Sequence, residues 1–171
     1  MGEVQQMKRR IAVVALVFVA FALIAQQALA QNEHFIRASG SVNNDGSLTV
    51  SFKEAGLGTN QNIDYTLTAN GTAIYVCVNR GGANPSASNK TAVAGPVTAS
   101  GTFNSGKNGQ VTASLTAQPP FRDIGCPPGQ SQELASVSYT DIVLTDTTNG
   151  VSITVPDVSS GCLLPNVRGA C

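Results

Sequence analysis

The sequence contains no Trp and a single His, and aromatic residues fill only 5% of its 171 positions. Charged residues are also scarce at 12%, about half the quarter usual in soluble globular domains. These shortages exclude whole classes of chemistry. A Ser or Cys nucleophile normally needs a base beside it, usually His. The one His, His34, lies close to the start of the folding part, where a frayed surface position is expected, and no G-x-S-x-G segment is present. There is no C-x-x-C pair either, so a metal site is not expected. After residue 30 the chain has seven Lys and Arg against nine Asp and Glu. No basic face is available for phosphates, and nucleic acid is excluded as a partner. No cofactor is implied.

The chain begins with an export leader. Lys8, Arg9 and Arg10 precede an unbroken apolar run over residues 11–25, and Ala28-Leu29-Ala30 is a small-x-small cleavage pattern. The run is shorter than the ~20 residues that span a bilayer comfortably. Cleavage between Ala30 and Gln31 is therefore expected, giving a secreted protein with no stable membrane insertion. All four cysteines, Cys77, Cys126, Cys162 and Cys171, come after the leader, as suits an oxidising compartment. Of the three connectivities, Cys77 with Cys126 and Cys162 with Cys171 is expected, because the last two close a short loop. In the chain-entropy picture the longer loop contributes about 4 kcal/mol and the shorter one about 3 kcal/mol.

Ser, Thr and Asn make up close to a third of the residues beyond the leader, and the hydrophobic period there is two. That period predicts strands. Leu48, Val50 and Phe52 alternate with polar residues, as do Ile63, Tyr65 and Leu67. Asn70-Gly71 reads as a tight hairpin turn. The return run 72–79 is apolar on both parities, as in a central strand covered on both faces. A polar connection, 79–95, comes next. Val97 to Phe103 and Val111 to Leu115 alternate again, with a hairpin loop expected at 104–109. The segment 121–130 holds Cys126-Pro127-Pro128-Gly129 and cannot be regular. In the long run 133–145 the apolar set changes parity between Tyr139 and Ile142, which predicts a β-bulge at Thr140-Asp141. Val151, Ile153 and Val155 form the last strand. Seven or eight such strands predict an all-β, antiparallel two-sheet sandwich stapled by disulfides. An immunoglobulin-like order and a small jelly roll are the two topologies considered; the buried Trp of the former is missing. The organisation expected is a signal peptide (1–30), the sandwich (31–158) and a C-terminal tail with a short disulfide loop (159–171).

Several segments together form a pattern: Cys-Val-Asn-Arg-Gly-Gly (77–82), Asn-Pro-Ser-Ala-Ser-Asn-Lys (84–90), Ser-Gly-Thr-Phe (100–103), Gly-Lys-Asn-Gly-Gln-Val (106–111), Cys-Pro-Pro-Gly-Gln (126–130) and Leu-Ala-Ser-Val-Ser-Tyr-Thr-Asp (134–141). They resemble a group of small secreted bacterial proteins of unassigned function, over roughly half of the mature chain. The resemblance implies secretion and a common fold. It supplies no substrate, catalytic residue or partner.

The residues name candidates for function but no complete site. The connection 79–95 is longer than structureless loops usually are and is the best candidate for binding, although an ordinary crossover between the two sheets is the favoured reading. Arg80, Gly81, Gly82 and Lys90 are its candidate residues, rooted through Cys77 to the other irregular segment at Cys126. Carboxylate chemistry would draw on Asp64, Asp123, Glu133, Asp141 and Asp146, which nothing in the sequence pairs; Asp146 is better read as an Asx turn. Ser41 to Gly46 is faintly similar to a calcium loop, but Phe52 stands where a bidentate Glu should be, and a hairpin on Asn44-Asp45-Gly46 is the better reading. Tyr65, Tyr75 and Tyr139 fall on core-facing parity, so a sugar site would be a polar groove built on Asn and Asp side chains. Asn70-Gly71-Thr72 and Asn89-Lys90-Thr91 match the N-glycosylation sequon. The function expected is binding, as a cell-surface or matrix module, with a surface or extracellular polymer as the class of partner. The alternatives are an inhibitor presenting a disulfide-anchored loop, either Arg80–Gly95 or Cys162–Cys171 with Arg168 suited to a trypsin-like pocket, and a carboxylate-dependent hydrolase.

Overall fold

Alternation of apolar residues with Thr and Ser has a direct structural consequence: among the described residues, 32–83 and 90–171 of a computed structural model, there are strands and no helix. The leader and its cleavage site at Ala30 and Gln31 lie outside these residues. β1 (His34–Val42), β2 (Leu48–Ala55) and β5 (Gln110–Ala117) form one antiparallel sheet in the order β1-β2-β5. β4 (Lys90–Asn104), β3 (Asn62–Asn79), β6 (Gln130–Asp146) and β7 (Val151–Val155) form the second in that order, and β8 (Val158–Ser159) continues the β7 edge along β6. The protein is a disulfide-stapled β-sandwich. Its strand order is the immunoglobulin-like one, with β4 placed beside β3 in the larger sheet.

The inward residues of both sheets meet in one core. Leu48, Val50 and Phe52 of β2 face Ile63, Tyr65 and Leu67 of β3 and Ile142 and Leu144 of β6, each at most 2% exposed. The end of β3 is covered twice, as its two-sided apolar pattern requires. Tyr75 and Cys77 point inward, while Val76 and Val78 form a second small core with Ala135 and Ala170, flanked by Leu164 and Val167. The tail thus covers one end of the outer face of the larger sheet, over Val76 and Val78. Both disulfides pair as expected, Cys77 with Cys126 and Cys162 with Cys171, and no free cysteine is left. The two bonds fit an oxidising environment.

Four local expectations are corrected. Asn70-Gly71 is no turn: β3 runs through it for 18 residues, with Gly71 paired to Gly95 on one side and Tyr139 on the other. Pairing along both edges outweighs the dipeptide's turn preference. The glycine serves close approach instead, since a Cβ there would lie 2.7 Å from the Pro120 ring and 3.2 Å from Tyr139. The connection 79–95 is shorter than expected, because β4 already starts at Lys90; Val93 turns inward with Val97, an alternation hidden among small residues. Residues 104–109 are not a hairpin loop, since β4 and β5 belong to different sheets. His34 is exposed but not frayed: it opens β1 opposite Ala55. The predicted bulge is present, with Thr68 opposite Val143 and Asn70 opposite Thr140, so that Asp141 is the inserted residue at φ 51°. Asp tolerates this left-handed conformation better than most residues.

The crossovers β2–β3 and β4–β5 are clasped to each other by one side chain. Ser105, 1% exposed, donates its hydroxyl to Gly58 O at 2.7 Å and accepts from Gln61 N at 2.9 Å. Ser105→Ala would leave both backbone groups without a partner, so a loss of about 2 kcal/mol is expected in urea unfolding; a loss below about 0.5 kcal/mol would show that the clasp is idle. At the β1–β2 hairpin, Asp45 accepts from the Ser47 hydroxyl at 2.6 Å and its amide at 2.9 Å, which holds the carboxyl below its ordinary pKa. The Asn-Asp-Gly hairpin reading of this segment is the one observed.

Candidate functional site

The outer face of the larger sheet carries a polar track whose position comes from register alone. Along β3 the outward residues are Thr68, Asn70, Thr72 and Ile74; opposite them on β4 stand Thr98, Pro96, Ala94 and Ala92, and on β6 Thr140, Ser138 and Ser136. Two hollows lie in line on this face. The first, of about 300 Å³, is lined by Thr68, Asn70, Pro96, Thr98 and Asp141. The second, of about 530 Å³, is floored by Thr72, Ile74, Ser136 and Ser138, with Lys90 on its rim. Both volumes are within the range of small-molecule sites. The six steps of strand from Thr68 to Ile74 give the track a length of roughly 20 Å.

Each wall has an identifiable origin. The bulge turns Asp141 out of the ladder, and its Oδ2 accepts from Asn70 Nδ2 at 2.9 Å, which fixes both groups at one end. The exposed Ala92 and Ala94 keep the β4 side low. On the far side, Gly161, Cys162, Ala170 and Cys171 form a wall held by the Cys162–Cys171 bond. That wall is stitched to β6, where Ser160 N donates to Val137 O at 2.9 Å, Leu163 N to Ala135 O at 2.8 Å, and the Ser160 hydroxyl accepts from Val137 N at 2.9 Å.

The structure separates the sequence candidates. Lys90 joins the track from the first position of β4, across from Val76. Arg80, Gly81 and Gly82 lie in an exposed turn organised by Asn79, whose Oδ1 accepts from Gly81 N at 2.9 Å and Ala83 N at 3.1 Å. Residues 84–89, including Asn89 of the second sequon, lie outside the described residues. The segment 118–129 is tied down beside this turn: Cys126 is bonded to Cys77, Tyr75 Oη donates to Pro120 O at 3.1 Å, and Gln132 binds Arg122 O at 2.8 Å and Ile124 N at 3.0 Å. It leaves Phe121 largely exposed. Arg168, the inhibitor candidate, has its backbone engaged in a bridge to Ala83 and sits among tight turns.

The carboxylates have local duties. Asp146 is fully buried and accepts from Thr148 N at 2.8 Å and Asn149 N at 2.9 Å, the Asx turn expected. Asp64 accepts from the Thr102 hydroxyl at 2.6 Å and Asp123 from Gly125 N at 2.9 Å. Glu133 is exposed on β6. The three tyrosines are at most 5% exposed, as their parity requires. Among the described residues no group of three or more His, Cys, Asp or Glu side chains is placed to hold a metal ion, and no helix is long and apolar enough to cross a membrane. No protein-family model, curated protein or solved structure matches the chain.

Proposed function

We propose that the protein is a secreted binding module of the cell surface or extracellular matrix, and that the outer face of the larger sheet holds an extended, hydroxyl-rich polymer such as a polysaccharide. The observation that carries this reading is the alignment of the two hollows: the Asn70 amide, the Asp141 carboxylate, Thr and Ser hydroxyls and the Lys90 ammonium succeed one another along β3 and the strands beside it. Donors and acceptors fixed on strands lose little freedom on binding. A polymer with hydroxyls at regular intervals matches such a row. The leader and the disulfides support export.

Purified protein mixed with cell envelopes, cellulose or chitin should be depleted from the supernatant in a saturable way that survives moderate salt. Absence of depletion on every solid would count against the reading. Asn70→Ala removes one end of the track without touching the core, and a several-fold weaker retention is expected, consistent with one or two lost hydrogen bonds of about 1 kcal/mol each.

A further inference from the structure

β2 carries its inward alternation one step beyond apolar chemistry: after Leu48, Val50 and Phe52 comes Glu54. Glu54 is fully buried, and neither carboxyl oxygen has a hydrogen-bond partner. The Tyr65 hydroxyl faces it from β3 without closing a hydrogen bond of good geometry, and its proton favours the ionised carboxyl. The surroundings are aromatic: the Phe52 and Tyr65 rings are 4.7 Å apart, Phe35 lies 6.1 Å and 6.3 Å from them, and Phe103 closes the cluster from β4. Three further charged groups act on the carboxyl. Glu33 precedes β1, His34 opens it and Asp146 ends β6; the two acids oppose ionisation and His34 favours it. Its cross-strand neighbours Phe35 and Val111 contribute no charge. Burial dominates, and the Glu54 pKa is pushed up to about 7.

The cover over this carboxyl is the start of one edge strand, set off from the rest of β1 by a register shift. Phe35 pairs with Glu54 and His34 with Ala55, at the beginning of an edge strand. The register shifts between Phe35 and Arg37, and Ile36 at the shift is 50% exposed. Only two residue pairs therefore hold the segment 32–35 to β2 ahead of the irregularity. The segment lies directly over Gly56, where a Cβ would collide with the backbone of Asn32.

We propose that residues 32–36 are a pH-operated strap, which seals this end of the core while Glu54 is protonated and lifts when Glu54 ionises. Lifting it hydrates the carboxylate at the cost of two residue pairs and the Phe35 contacts, leaving the β2–β5 pairing and the whole larger sheet intact. Local opening of such a weakly held edge is far cheaper than global unfolding.

Amide hydrogen exchange of the purified protein, corrected for the intrinsic pH dependence of exchange, tests this. Between about pH 5.5 and about pH 8.5, protection of amides 33–37 should fall roughly 10-fold, while the β3–β6 ladder stays constant. In Glu54→Gln the strap should keep its protection across the same range. Wild-type protection that does not change with pH, or an equal loss in the Gln variant, would overturn the proposal. A readout that needs no variant is the side-chain carboxyl carbon of Glu54 followed by NMR. A midpoint near neutrality is expected, and a midpoint in the ordinary glutamate range would contradict it.

Discussion

Replacing Cys77 and Cys126 together by Ala is expected to lower the stability of the protein by about 4 kcal/mol, the upper end for a loop of this length. The bond joins residues 49 apart in sequence and ties the buried end of β3 to the one long irregular crossover among the described residues. Cys77 is 3% exposed, so Ala is a better replacement than Ser, whose hydroxyl would be buried without a partner. The Cys162–Cys171 bond is a contrasting case. It joins cysteines 9 apart in sequence and closes a short loop on the outer face that contributes a wall of the track. Its removal should cost less in global stability, yet weaken polymer retention by at least as much as Asn70→Ala. Urea unfolding of the two double variants distinguishes these roles. Equal losses of stability would mean that the tail is as much a part of the cooperative core as the crossover.

The second large effect is a stability that declines toward alkaline pH. Glu54 has a folded pKa of about 7 against 4.5 for the free side chain. Below pH 4.5 it is protonated in both states, and its contribution to stability is fully present. Between the two values the folded state holds a proton that the unfolded chain has released, so stability falls as pH rises, until Glu54 ionises in the folded state too. The whole shift corresponds to about 3 kcal/mol. Asp45 acts with the opposite sign in acid, because its Ser47 partners hold its pKa down and their benefit is lost as it protonates. Glu54→Gln should therefore flatten the decline between pH 4.5 and 7 expected in wild type. A wild-type stability that rises through this window would show that Glu54 is solvated.

Much of the fold is legible in the residues because its causes are local. Period-two alternation marks β2, β5 and β7; a parity change locates the bulge at Asp141; the two-sided apolar run at the end of β3 announces a strand covered on both faces. Expectation and structure part where long-range pairing decides. Asn70-Gly71 has the chemistry of a turn, and only the strands on either side and the Pro120 ring above explain a straight path through it. β1 gives no clear signal, because the shift at Ile36 breaks its alternation and because Ala38 and Gly40 are too small to mark a core face. Glu54 is readable in principle: it continues the parity of Leu48, Val50 and Phe52, and only its polarity hides it. The track is partly readable. Lys90 and Asp141 stand out in the sequence for other reasons, whereas Thr72, Ser136 and Ser138 become neighbours through the register of strands distant in sequence.

The most direct test of the binding face is a variant that adds bulk and removes no contact. Ala94 is exposed, lies opposite Thr72 on β3, and keeps the floor low between the two hollows. Ala94→Trp should leave unfolding unchanged and abolish saturable depletion on whichever solid retains the wild-type protein. If the Trp variant is retained as well as wild type, the polymer does not lie on this face.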